Sequence, residues 1–183
     1  MRDGFDGASM NDVARVAGVS KGTLYVYFDS KVSLFEALVR EDRQQQAEQI
    51  CTLPEGDDDR DLRSVLVRLG IDLVEMIILP ASLAQIRTVV GVAPKFPQIG
   101  RALYESGPKF GRERLAAYLG RRVAKGELAI DDLDLAADQL SDLFHGSILK
   151  RLLFCVEDEV SAQEIRRRVE KAVDVFLAAY KGV

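Results

Sequence analysis

The sequence predicts an all-α fold in two parts, a short helix-turn-helix at the N-terminus and a helical bundle behind it. Three observations carry this reading. Apolar residues recur at steps of three and four almost throughout, with no alternation long enough for a strand. Gly, Pro and capping residues punctuate the chain into helix-sized segments. The 183 residues, 48% hydrophobic and 30% charged, are enough for one packed domain or one with a small appendage, and they exclude both a large multidomain enzyme and a disordered chain.

The first helix is expected over Ser9 to Ala17, where Ser9 and Asp12 have capping-box spacing. The second runs from Ser20 to Phe28, and a third from Ser30 to about Ile50. Pro54, Gly56 and the run Asp57-Asp58-Asp59 then read as a solvated loop, the clearest break between expected domains of residues 1–46 and 47–183. Leu62, Val65, Leu66, Leu69, Leu73, Met76 and Ile77 make an amphipathic helix that Pro80 is expected to end. A shorter helix follows from Ser82 to Val90, closed by Gly91, and Pro94 to Pro97 is a turn.

Pro97 to Glu105 and Pro108 to Ala124 read as two more helices, with Pro108 near a first helical position and Gly126 just past an end. Asp131 or Asp132 caps the next helix, whose stripe is Leu133, Ala137, Leu140, Phe144 and Ile148. Ser161 and Glu164 start the last one, with its stripe Ile165, Val169, Ala172, Phe176 and Ala179. Their rhythm is that of helices packed nearly antiparallel. Both carry further apolar residues, Leu149, Leu152 and Leu153 on one and Val173, Leu177 and Tyr180 on the other, which points to a two-fold homodimer through this pair.

Charge and cysteine usage narrow the class. The formal net charge is -4, so any polyanion site must be local. Cys51 and Cys155 are far apart with no CxxC, which fits a reducing compartment. No basic region precedes an apolar stretch at the start, and Met76 to Ala84, broken by Pro80, is far short of the ~18 residues a membrane span needs. The expected location is the cytoplasm, with no membrane partner.

Met10 to Asp29 carries the most information. A small residue at Ala14 lets two helices cross closely, Gly18 permits a left-handed turn, and Val19 and Leu24 plug the angle between them. Ser20 can cap the second helix and leave its amides free to meet a phosphate. From Arg15 to Lys31 there are three basic residues against one acidic, whereas residues 1–46 hold six against seven. The positive potential is therefore a small patch suited to a few phosphates.

No GxSxG, HExxH, Walker or GxGxxG pattern is present, and the single histidine, His145, has no convergent metal partners in sequence. We therefore expect no enzyme, no metal and no cofactor. His145 is expected to pack or to touch a ligand.

GFDGASMNDVARVAGVSKGTLYVYFDSKVSLFEAL (Gly4 to Leu38) closely resembles the DNA-binding segment of the TetR/AcrR family of bacterial transcriptional regulators, and GVSKGTLYVYFDSK (Gly18 to Lys31) is highly specific for that family. FPQIGRALYESGP and AAYLGRRVAKGEL, within Ala93 to Leu128, are similar to the effector domain of an AefR-like subgroup. The resemblance implies a repressor of a pseudo-palindromic double-stranded operator, released by a small molecule. It places Ser20, Lys21, Gly22, Thr23, Tyr25 and Tyr27 where the recognition helix meets DNA, Lys31 at a phosphate contact and Ser9 at a backbone-contacting position. Val26 stands where the family often has a polar or aromatic residue, so any base contact from it is apolar.

Family members also carry a helix ahead of the segment matching Gly4-Phe5. With three residues before Gly4, the native chain is expected to begin further upstream, or Val13, Leu24 and Phe28 to lack a covering partner. A cavity among the middle helices is implied as well. An apolar or aromatic effector, met by Arg87 if acidic, would fill the space among Met76, Ile86, Phe96, Phe110 and Tyr118 and, by tilting the Ser30–Ile50 helix, change the spacing of two recognition helices. The competing expectation is a helical ligand-carrier or interaction protein whose helix-turn-helix does not bind DNA.

Overall fold

The structure is a computed structural model that describes residues 4–50, 53, 54 and 60–182. The described residues are helical, with no strand and one isolated antiparallel bridge between Leu128 and Lys181. The expected loop at Gly56 to Asp59 and the expected thiol at Cys51 lie outside the described residues.

Among the described residues ten α-helices follow one another: α1 Gly4–Gly7, α2 Met10–Ala17, α3 Lys21–Tyr27, α4 Lys31–Ile50, α5 Leu62–Ile77, α6 Pro80–Val92, α7 Pro97–Tyr104, α8 Phe110–Ala124, α9 Leu133–Leu153 and α10 Ala162–Tyr180. Side-chain caps begin several of them. Asp61 accepts from the Ser64 amide at 2.9 Å, Asp132 from that of Leu135 at 2.9 Å and Ser161 from that of Glu164 at 3.2 Å, the last two as the sequence predicts.

Prolines depart from the sequence expectation twice. Pro80 does not merely stop α5; it opens α6 within the first turn, where its missing N–H leaves no helical bond unmade, and α6 then runs through Gly91 instead of closing there. Pro108 does not begin a helix. It lies inside a π-helical turn, Glu105–Lys109, that joins α7 to α8 as one continuous helical segment. Pro108 has no amide to donate to the turn before it, and the wider turn accommodates that loss.

The main core gathers Leu66, Leu69 and Val74 of α5, Tyr118 and Leu119 of α8, Leu140, Phe144 and Ile148 of α9, and Val169, Val173 and Phe176 of α10. Gly70 lies at its closest crossing. A Cβ there would stand 2.6 Å from Val169 Cγ1 and 2.7 Å from the Phe144 ring. Arg122, only 4% exposed, is satisfied within this core. Its Nε donates to the Tyr118 hydroxyl at 3.0 Å, Nη1 to Glu127 at 2.9 Å and Nη2 to the Arg60 carbonyl at 2.8 Å.

A second cluster joins Phe5, Phe35 and Val39 to Val89, Ile99 and Ala102. A third holds Met10, Ala14, Leu24 and Leu34. Helix α4 thus contributes to both, Leu34 to the helix-turn-helix core and Phe35 and Val39 to the packing against α6 and α7. Among the described residues no helix is long and apolar enough to cross a membrane.

Candidate nucleic-acid interface

Ser9 begins the site. Its Oγ accepts from the Asp12 amide at 3.2 Å while donating to Asp12 Oδ2 at 2.6 Å, and the Asp12 carboxylate accepts back from the Ser9 amide at 3.3 Å, a complete capping box. The hydrogen bond from Ser9, aided by Arg15, holds the Asp12 carboxyl below the usual carboxylate range. Gly18 ends α2 at φ 70°, a left-handed conformation that favours glycine, and the Val19 amide folds back to Ala14 O at 3.0 Å. Buried Ala14 lets α3 cross closely, and Leu24 fills the angle. Val19 contributes less than its apolar character suggests, since it is exposed.

Helix α3 starts on Ser20, whose Oγ accepts from the Thr23 amide at 3.0 Å and shares a hydrogen bond with Thr23 Oγ1 at 2.7 Å. Leu24 is its one buried residue, so Lys21, Gly22, Thr23, Tyr25, Val26 and Tyr27 all face outward. The Lys21 ammonium lies 5.7 Å from the centre of the Tyr25 ring, one turn away on the same flank. Of the anticipated DNA-facing residues, Ser9, Ser20, Lys21, Gly22, Thr23, Tyr25 and Tyr27 are thus at the surface of one small unit.

Lys31 is placed differently. Its Nζ donates to Phe5 O at 2.6 Å and Ala8 O at 3.0 Å, and lies 4.5 Å from the centre of the Phe5 ring. The ammonium ties the end of α1 to the start of α4 instead of standing free in solvent. Leu24 is buried among Met10, Ala14 and Leu34, and Val13 and Phe28 pack against the same cluster half-buried. Of the three side chains for which a missing cover was one of the two alternatives, Leu24 is buried.

The residues anticipated around an effector are not brought into one lining. Tyr118 lies in the main core and Phe96 in the second cluster, its ring 5.6 Å from that of Phe5. Arg87 closes the end of α9, donating to the carbonyls of Leu152 and, at 3.1 Å, Leu153, with Cys155 Sγ 3.4 Å away. Met76, Ile86 and Phe110 are half-buried on α5, α6 and α8. His145 lies beside a kink in α9, where Gly146 adopts φ 28° and ψ -118°, and it lines a surface cavity of about 420 Å³ with Ser147, Arg167, Arg168 and Lys171. Among the described residues, no group of three or more His, Cys, Asp or Glu is placed to hold a metal ion.

The expected dimer residues are also redistributed. Leu152 and Val173 are buried in their own chain, and Leu149, Leu153, Leu177 and Tyr180 pack half-buried against the same core. The large apolar side chains that α9 and α10 leave exposed are Leu135, Leu143 and Val175, at 51%, 43% and 58% exposure. A second stripe offset from the buried one was the sequence signal for them.

A capped helix, a left-handed glycine turn and a crossing helix whose exposed flanks carry a cation and hydroxyls define a helix-turn-helix DNA-binding protein. The family model described as bacterial regulatory proteins, tetR family, matches residues 1–38, and the one described as AefR-like transcriptional repressor, C-terminal domain, matches residues 64–182. The chain belongs to the TetR family, as a DNA-binding transcriptional repressor with an AefR-like C-terminal domain.

Solved structures agree. A TetR-family transcriptional regulator of Mesorhizobium loti MAFF303099 is 26% identical over 100% of this chain and 90% of its own, with a TM-score of 0.82. The flavonoid-responsive regulator FrrA is 29% identical over 98% of this chain and 90% of its own, with a TM-score of 0.83. A transcriptional regulator of Pseudomonas aeruginosa PAO1 is 26% identical over 97% and 84%, with a TM-score of 0.72. No curated protein matches the chain.

Proposed function

We propose that the protein is a cytoplasmic homodimeric repressor that docks α3 of each subunit in the major groove of a pseudo-palindromic operator and is released by a small apolar or aromatic molecule. The observation that carries the DNA part is the outer face of α3: with only Leu24 buried, Lys21, Gly22, Thr23, Tyr25 and Tyr27 are all available to duplex DNA. Ser9 and Ser20 sit at the starts of α2 and α3, where main-chain amides face a phosphate strand. Lys31 acts indirectly in this reading, by fixing α1 against α4. The reading includes no enzymatic step.

The dimer is supported by exposed Leu135, Leu143 and Val175, which a second copy would cover. The DNA-reading unit is residues 1–46 and the effector and dimer unit 47–183, with α4 packing on both sides of that division. For the effector, Met76, Ile86 and Phe110 are the residues we retain, three half-buried side chains on three helices. The name of FrrA, flavonoid-responsive, supports an aromatic class. Selection of a duplex from a random pool by the full chain, then mobility shift with and without aromatic ligands, tests the reading. Specific retardation that a ligand abolishes is the expected result. Retention of every sequence alike, with a salt slope but no preference, is the result against it.

A further inference from the structure

Helix α3 turns Leu24 toward α2 and α4. At about 100° per residue, Gly22 and Val26 each stand about 160° from Leu24, so together they form the ridge furthest from the core. Val26 is 78% exposed there, an isopropyl group held in water by a helix whose packing does not use it. Gly22 is equally unexplained by the fold. It is not among the glycines with positive φ, and a Cβ built on it meets only Ser20 Oγ, at 3.7 Å. Alanine would serve the helix better at such a place.

The flanks say what this ridge meets. Lys21 and Tyr25 stand on one side and Thr23 and Tyr27 on the other, a cation and three hydroxyls suited to phosphates and base edges. Between them the side chains of Gly22 and Val26 offer no hydrogen-bonding group. The one apolar group among the base-edge features of the major groove is the C5-methyl of thymine.

We infer that Gly22 and Val26 form an apolar ridge that reads a thymine C5-methyl in the operator, Gly22 by letting the backbone approach the groove and Val26 by packing on the methyl. This rests on α3 being the DNA-facing helix, as proposed above. The ridge then selects thymine at a position where it makes no side-chain hydrogen bond. It also discriminates against uracil, which pairs like thymine and lacks only the methyl.

The experiment uses the full chain and a duplex that it selects from a random pool. Each thymine is replaced singly by uracil, and affinities are measured for the wild type, Val26→Ala and Gly22→Ala. At least one replacement should weaken the wild type about fourfold, the value of one buried methyl at ~0.8 kcal/mol, and leave Val26→Ala unaffected. Gly22→Ala should weaken binding to the unmodified duplex without lowering Tm, which a merely structural glycine would not do. The inference is overturned if uracil is neutral everywhere for the wild type, or if its cost persists undiminished in Val26→Ala. Failure of the wild type to select any duplex overturns the DNA-facing reading of α3 itself, and the ridge with it.

Discussion

The ammonium of Lys31 lies 2.6 Å from the carbonyl oxygen of Phe5 and 4.5 Å from the centre of the same residue's ring, so one charge holds both the backbone and the aromatic face of α1 against α4. Hydrogen bonds to charged groups contribute about 1.5–3 kcal/mol, and Lys31→Met should therefore destabilise the fold by roughly that much. Its operator salt slope should match the wild type. Lys21→Ala should do the reverse, leaving Tm unchanged and lowering the slope by about 0.9 for each phosphate that the ammonium no longer neutralises. Denaturant melts and binding titrations across salt concentrations check both. An equal drop in slope for the two variants would return Lys31 to the phosphate.

Gly70 and Gly91 are both helical glycines, and they should respond to alanine with opposite signs. A Cβ at Gly70 meets Val169 at 2.6 Å and Phe144 at 2.7 Å, whereas one at Gly91 meets nothing within 4 Å. Overpacking at the crossing of α5, α9 and α10 should cost about 1–3 kcal/mol. Gly91→Ala should stabilise by about 0.4–1 kcal/mol through the unfolded chain. Thermal unfolding of the two single variants decides this directly.

The exposed Leu135, Leu143 and Val175 predict where the subunits meet. Val175→Lys should shift sedimentation at micromolar concentration from dimer to monomer and leave the helical content intact, because this side chain is 58% exposed and not part of its own subunit's buried core. Leu152→Lys should instead unfold the subunit, since Leu152 is buried within it. A Val175→Lys protein that remains a dimer would place the interface on another face.

How far these features were legible in the sequence depends on how local their causes are. The capping box at Ser9 and Asp12, the left-handed Gly18 and the cap at Ser20 are settled within four residues of chain, and the structure has them as the spacing predicts. Arg87 was legible only as a cation on an apolar segment; its partners, the Leu152 and Leu153 carbonyls, are brought to it by the packing of α6 on α9. Pro108 reads as a helix start because proline is favoured at a first helical position, whereas it sits in a π-helical turn between α7, which packs on α4 and α6, and α8, which packs on α9. Leu149 and Val175 are equally apolar in sequence. Only the tertiary arrangement sends the first inward and leaves the second in solvent.

His145 gives the chain a pH response with a determinate sign. Burial beside the α9 kink pushes its pKa below the ordinary 6.5, Asp142 opposes this, and Lys150 adds to it. Arg167, Arg168 and Lys171 of α10 line the same cavity and also disfavour a further positive charge there. The unfolded chain therefore binds the proton more readily than the folded one, and stability falls as pH drops below 6.5 toward the folded pKa. Above about pH 7.5 both states are neutral at this site and the effect vanishes. Glu164 and Asp174, whose pKa values are lowered by hydrogen bonds from Arg151 and from Arg63 respectively, act only further down, in the carboxylate range. Unfolding measured between pH 7.5 and 5.5 should thus show a falling Tm in the wild type and a flatter profile in His145→Asn. A His145→Asn profile as steep as the wild type's would mean that the proton taken up on unfolding belongs to another group.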